Sequence, residues 1–134
     1  MDYKHICATW TPRVLSLLRI MAALFLFEHG TAKILGFPAV PVFAKLQVMS
    51  LFGASGIIEL IGGALLAIGL FTRPVAFILS GLSASAYFIV HAPQSFYPIA
   101  NGGELAALYC FVFFYLVFAG GGSWSLDALR KGSG

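Results

Sequence analysis

The run GASGIIELIGGALLAIGLF, residues 53–71, decides the class of this protein. Nineteen positions hold a single ionisable side chain, Glu59. A bilayer core about 30 Å thick is crossed by about 20 apolar helical residues, so the run reads as a membrane span. Working outward, the same reading applies to residues 12–33, 74–91 and 104–119. Each is bounded by Gly or Pro: Pro12 suits a first helical turn, Thr72-Arg73-Pro74 separates the second span from the third, Ala92-Pro93 closes the third, and Gly120-Gly121-Gly122 closes the fourth. The expectation is all-α: one transmembrane domain over 1–134, built as an up-down four-helix bundle, with an apolar interfacial loop at 34–52.

Composition agrees. The chain has 134 residues, 60% hydrophobic and only 10% charged, at a mean hydropathy of +0.93. An ordinary soluble domain carries about 25% charged residues, and a chain this small cannot hide so much apolar surface from water. A soluble enzyme and a disordered chain are excluded. The eight Lys and Arg are scattered singly, so no basic patch exists to track nucleic acid. The first apolar stretch is long and closes on Glu28-His29-Gly30, which reads as a retained span rather than a cleaved leader. The closing Gly132-Ser133-Gly134 reads as an appended tail.

Short flanks set orientation. With four spans, Lys4, Arg13, Arg73, Arg130 and Lys131 share one side, and Lys33 and Lys45 occupy the other. Both termini are expected in the cytoplasm and the protein in the cell (inner or plasma) membrane, with the lipid bilayer as its first partner. Helix contacts should follow small residues: Gly63 and Ala67 in the second span, and Ala76, Ser80 and Ala84, with Gly81 and Ser85 beside them, in the third. The aromatic run from Phe111 to Phe118 reads as lipid-facing. After Pro41, a short helix with Val42, Phe43, Leu46 and Met49 on one face suits an interfacial anchor. Cys7 and Cys110 should lie far apart, and no Cys-x-x-Cys is present.

Ionisable groups inside spans are costly, which makes them site candidates. Glu28 and His29 fall near the outer end of the first helix, and Glu59 about 9 Å inside the second. His91 closes the third, and Asn101 and Glu104 open the fourth. All fall in the outer third of the bundle, where carboxylates and imidazoles can exchange protons near neutral pH. Ser55, Glu59 and Gly63 share one helix face. Glu28, His29 and Glu59 are the candidate catalytic residues, and His91, Asn101 and Glu104 the candidate ligand-binding ones. No metal ligand is assigned, because no Glu-x-x-His pair occurs. Structural roles compete: Glu104 at a helix N-terminus, His91 on a loop carbonyl, Lys33 as a snorkelling anchor, and Arg19 snorkelling or paired with Asp127. A His followed by an opening Glu-Leu recurs in both halves (His29 with Glu59-Leu60, His91 with Glu104-Leu105), a hint of a duplicated hairpin.

With these residues assembled, the chain resembles the DoxX family of small four-helix membrane proteins over about Val14 to Asp127. The resemblance rests on Leu18-Arg19, Phe27-Glu28-His29-Gly30 with Lys33 and Gly36-Phe37, Glu59, Gly62-Gly63, Leu66, Gly69-Leu70 and Thr72-Arg73. His91, Asn101-Gly102-Gly103-Glu104 and Trp124-Ser125-Leu126-Asp127 complete it. It implies a quinone-linked oxidoreductase or its membrane subunit, with a partner redox subunit or a second copy alongside. A quinone arriving through lipid would meet Glu28 and His29 at one carbonyl and Glu59 and His91 at the other, among Phe27, Phe37, Tyr87, Phe88, Phe96 and Tyr97. No flavin, nicotinamide or iron–sulfur fingerprint is present, so no intrinsic cofactor is expected. Haem on His29 and His91 is disfavoured by the exposure of His91. The alternative is a non-catalytic binding or transport module, or a scaffold that anchors partner enzymes.

Overall fold

The decisive stretch forms a helix running Leu51–Ile68, the second of six in a computed structural model that describes residues 2–44 and 49–132. The helices are α1 (Tyr3–Ile34), α2 (Leu51–Ile68), α3 (Thr72–Ala86), α4 (Pro98–Asn101), α5 (Glu104–Ala119) and α6 (Leu126–Gly132). A π-turn at Tyr87–His91 and a 3₁₀ turn at Ala92–Gln94 prolong α3. No strand occurs among the described residues. Three stretches are long and apolar enough to cross a membrane: Tyr3–Ile34, Leu51–Ile68 and Thr72–Gln94. Glu104–Ala119 is apolar but shorter, about 24 Å at 1.5 Å per residue.

Boundaries differ from expectation where a cap lies outside the hydrophobic pattern. Pro12 does not start α1. The Asp2 side chain accepts from the Lys4 N–H at 3.3 Å, and the helix runs straight through Pro12. Its apolar periodicity begins only at Pro12, so the polar first turns were invisible to a hydropathy reading. Likewise α2 begins at the Ser50 cap, whose hydroxyl accepts from Gly53 N–H at 3.2 Å. It ends at Gly69 in the left-handed region (φ 73), so Thr72-Arg73-Pro74 is the first turn of α3 and not a connection. Of the interfacial helix expected after Pro41, a single 3₁₀ turn at Pro41–Phe43 is seen; residues 45–48, Leu46 among them, lie outside the described residues, as do Ser133 and Gly134.

The bundle is two tight hairpins, α1 against α2 and α3 against α5, joined mainly through α2 and α3; α1 and α5 barely meet. In lipid the attraction between helices is close packing, and small residues permit it. A Cβ on Gly30 would lie 2.7 Å from Leu60 N, and one on Gly63 3.0 Å from Phe27 Cα. The seam of α3 runs through Ala76, Leu79, Ser80 and Ser83, with Ala84 half-buried, as expected for the Ala76–Ser80–Ala84 line; Gly81 and Ser85, expected beside it, are exposed. The seam stays nearer a 3.6-residue period than a strict four-residue step allows. Phe113 and Leu116 of α5 are fully buried, with Phe111, Phe114 and Phe118 exposed around them.

Arg19 neither snorkels nor pairs with Asp127. It is 1% exposed, and its guanidinium donates to three carbonyls: Gly121, Ala67 at 3.3 Å and Trp124 at 2.8 Å. It thereby satisfies the C-terminal end of α2 and the linker from α5 to α6. Asp127 instead turns both oxygens to α3, accepting from Phe71 N–H at 2.9 Å and Thr72 N–H at 2.8 Å. This caps a helix whose own cap residue, Phe71 (φ 53), offers no side-chain acceptor. Partial burial pushes the Asp127 carboxyl up, but donation from Thr72 and Phe71 and the charge of Arg130 outweigh it and hold the group below its ordinary 3.8.

Candidate functional site

At the opposite end from Arg19, α1 and α2 bring a second buried charge cluster together. Lys33 Nζ lies 2.9 Å from Glu59 Oε1, with both side chains about nine-tenths buried. It also donates to Ser55 Oγ at 3.1 Å, and that hydroxyl donates to Phe52 O at 2.7 Å. Lys33 is therefore a buried ion-pair partner, not the expected snorkelling anchor. The Phe43 ring, from the loop, sits 5.5 Å from Nζ and covers the pair.

Helical spacing puts His29 one turn before Lys33 on the same face of α1. Its Nδ1 lies 2.9 Å from Phe25 O. A carbonyl can only accept, so Nδ1 carries the proton, and Nε2 is an acceptor in the neutral ring. The imidazole meets the Tyr109 ring of α5 edge-on, with centroids 6.2 Å apart, across the gap between α1 and α5. His29 also lies within electrostatic reach of Glu59, and Glu59 within reach of Tyr109. His29, Lys33, Glu59 and Tyr109 thus form one cluster drawn from three helices.

Two polar atoms of this cluster are buried without a hydrogen-bond partner: Glu59 Oε2 and Tyr109 Oη. Their residues are 6% and 7% exposed. Buried polar atoms are nearly always paired, so a carboxylate oxygen and a phenol without partners in one cluster are candidates to engage a ligand.

The remaining candidates fall elsewhere. Glu28 is exposed, within electrostatic reach of Tyr109 at the rim of the cluster. His91 and Asn101 form a separate knot at the same end. His91 Nδ1 donates to Asn101 O at 3.0 Å. The Asn101 amide donates to Tyr87 Oη at 3.2 Å and Ser95 O at 3.0 Å, and its Oδ1 accepts from Gly103 N–H at 2.8 Å. Every polar atom of the Asn101 side chain is engaged in holding the entry to α5. Glu104 is exposed in the first turn of α5, where its charge complements the helix dipole. Among the described residues no three His, Cys, Asp or Glu side chains gather into a metal-holding group.

Tyr109 was absent from the candidates read in the sequence. The sequence does not separate it from Tyr115, the other tyrosine of α5; only the fold, which buries Tyr109 and exposes Tyr115, does so. Lys33 carried a legible signal, its four-residue step from His29.

The DoxX family profile matches residues 14–92, which include His29, Lys33, Glu59 and His91 but neither Tyr109 nor the Asn101–Glu104 segment. A curated relative, an uncharacterized protein of Haemophilus influenzae (strain Rd), is 46% identical over 122 residues, covering 88% of this chain and 91% of its own length. No solved structure matches.

Proposed function

The chain belongs to the DoxX family, and from that premise we propose that it is a membrane oxidoreductase subunit that takes a quinone-type ligand at the His29–Lys33–Glu59–Tyr109 cluster. The observation that carries this reading is the pair of orphaned buried atoms, Glu59 Oε2 and Tyr109 Oη. A quinone supplies two carbonyl acceptors and, on taking two electrons and two protons, two hydroxyl donors. Tyr109 Oη is a donor suited to the first state and Glu59 Oε2 an acceptor suited to the second. Lys33 fixes the other Glu59 oxygen and holds the carboxylate in one orientation. His29 Nε2, set by the bond from Nδ1 to Phe25 O, can accept or return a proton at the cluster. The Phe43 ring lies 5.5 Å from Lys33 Nζ, and α1 and α5 make few contacts, the side from which a ligand would approach through lipid. Electrons come from a partner redox subunit or a small reductant.

The same proposal places four spans in the cell membrane, with α5 as the fourth and both termini cytoplasmic. A reporter fused to the C-terminus should read as cytoplasmic. The site is tested by purifying the protein in mild detergent, assaying retained quinone by mass spectrometry and titrating a short-chain ubiquinone. Wild type should retain quinone, and Tyr109→Phe and Glu59→Gln should each bind the short-chain probe on the order of tenfold more weakly, the scale of one hydrogen bond to a charged or buried group. Equal, negligible retention by all three proteins would overturn the reading. Retention without any reduction by a supplied donor would leave a binding module and remove the catalytic role.

A further inference from the structure

Independently of the Glu59 cluster, the Arg19 end carries an open cavity of about 700 Å³ between the start of α3, the end of α5 and α6. Its wall holds Arg73, Arg130 and Lys131, against the single carboxylate of Asp127. Both Asp127 oxygens are already turned to backbone N–H groups of Phe71 and Thr72, so little of that charge faces outward. Arg73 drapes over the end of α5, donating through Nη1 to the carbonyls of Val117 at 3.2 Å and Phe118 at 2.5 Å. These two bonds use one nitrogen of the guanidinium; a Cβ on Gly120 would come within 3.2 Å of Nη2, so the glycine keeps that edge open to the cavity. Gly121 does the same at the floor, where a Cβ would crowd the Thr72 hydroxyl at 2.9 Å. Arg130 is steered to the rim by the Phe71 ring, 5.1 Å from its guanidinium carbon.

The depth of this cavity is marked twice. Spans α3 and α5 begin and end at its wall, and both tryptophans of the chain, Trp10 and Trp124, lie at this end about half exposed, with Phe71 alongside. Exposed tryptophans at helix ends mark headgroup level. A cavity that is cationic, open, floored by glycine and set at headgroup depth suits a phosphodiester carrying net negative charge, and basic recesses between helix ends are where such headgroups seat. We propose that this cavity holds the phosphate of an anionic phospholipid, with Arg73, Arg130 and Lys131 as its ligands.

The full-length protein, purified in detergent, is titrated with phosphatidylglycerol, with phosphatidylcholine and with inorganic phosphate, and adducts are counted by native mass spectrometry. Phosphatidylglycerol should bind more tightly than phosphatidylcholine. The pair Arg130→Gln and Lys131→Gln should weaken it by about fivefold per cation, on the order of 25-fold together. Because Arg73 also holds the end of α5, Ala128→Glu serves as the second variant: it adds a carboxylate to the cavity wall on the exposed helix α6 and should abolish the preference while circular dichroism stays unchanged. Equal affinity for the two lipids overturns the proposal, as does wild-type binding by both variants. Inorganic phosphate binding as tightly as phosphatidylglycerol overturns the lipid as its source and assigns the cavity to a soluble phosphate.

Discussion

Arg19 and Glu59 are both charges buried in an apolar bundle, at opposite ends, and they are satisfied in opposite ways. Arg19 meets no acid. Its Nη1 and Nη2 donate to the Gly121, Ala67 and Trp124 carbonyls where α2 and α5 stop, while its Nε is left without a partner. Glu59 meets Lys33 through one oxygen and keeps the other unpaired, facing the same neighbourhood as the unpaired Tyr109 hydroxyl. A charge that completes backbone hydrogen bonding is architecture. An intramembrane carboxylate with one oxygen unpaired is by default a candidate binding group, and that is the role proposed for Glu59.

The comparison is broken most directly at Arg19. Arg19→Leu strips the donor from the Ala67 and Trp124 carbonyls, Gly121 O keeping the Ser16 hydroxyl. Each unsatisfied group costs about 1–3 kcal/mol, and the variant should leave little folded protein after detergent extraction, as read by size-exclusion profile and denaturant midpoint. A normal midpoint would end the architectural reading. Lys33→Met should be nearly as severe, about 3–5 kcal/mol, because it strands the Glu59 carboxylate. The double change Lys33→Met with Glu59→Met should recover most of that loss, since a buried pair replaced by well-packed apolar groups is often neutral. No such rescue exists for Arg19, whose partners are backbone.

How legible this was in the sequence varies by residue and for physical reasons. The helical class, the apolar stretches and the end of the bundle that holds Glu59 and His29 follow from hydropathy and depth, which are one-dimensional properties. Lys33 lies in the last turn of α1, where a lysine reads as a snorkelling anchor although its four-residue step from His29 puts both on one face. Nothing in the chain announces that the Phe43 ring comes within 5.5 Å of it. Arg19 was paired on paper with the nearest acid, yet carbonyls exposed by a helix end are equally good acceptors and leave no mark in a sequence. His91 and Asn101 share depth with Glu59 but not space, because the α3–α5 connection folds into its own hydrogen-bonded knot. The two halves differ accordingly: one holds a charged cluster, the other a hydrogen-bonded loop.

A smaller effect sharpens the Arg19 end. Asp127→Asn keeps the shape of the cap on α3 but weakens its acceptor, and Asp127→Ala removes it at about 1 kcal/mol, the usual value of a helix cap. The sign with pH is set by the lowered carboxyl. Its folded value lies below 3.8, so its stabilisation is complete above about pH 4 and is lost as pH falls through the folded value. Wild type should therefore lose part of its stability advantage over Asp127→Asn between about pH 4 and lower values, measured by thermal denaturation, while the two curves run parallel near neutrality.

The smallest expected change in stability is the most telling. Tyr109→Phe deletes a hydroxyl that makes no hydrogen bond within the protein, so the desolvation it suffers on burial is relieved and nothing is broken. The variant should be as stable as wild type or up to about 1–2 kcal/mol more stable, whereas Arg19→Leu is ruinous although both residues are buried to a similar degree. The stacked neighbour, 5.4 Å away centroid to centroid, is a phenylalanine, Phe113. A hydroxyl with no partner inside the fold is the group that a bound molecule would engage on the proposed function. If Tyr109→Phe instead destabilises the protein and leaves ligand retention untouched, the hydroxyl has a partner inside the fold and the Glu59 end is architecture like the other.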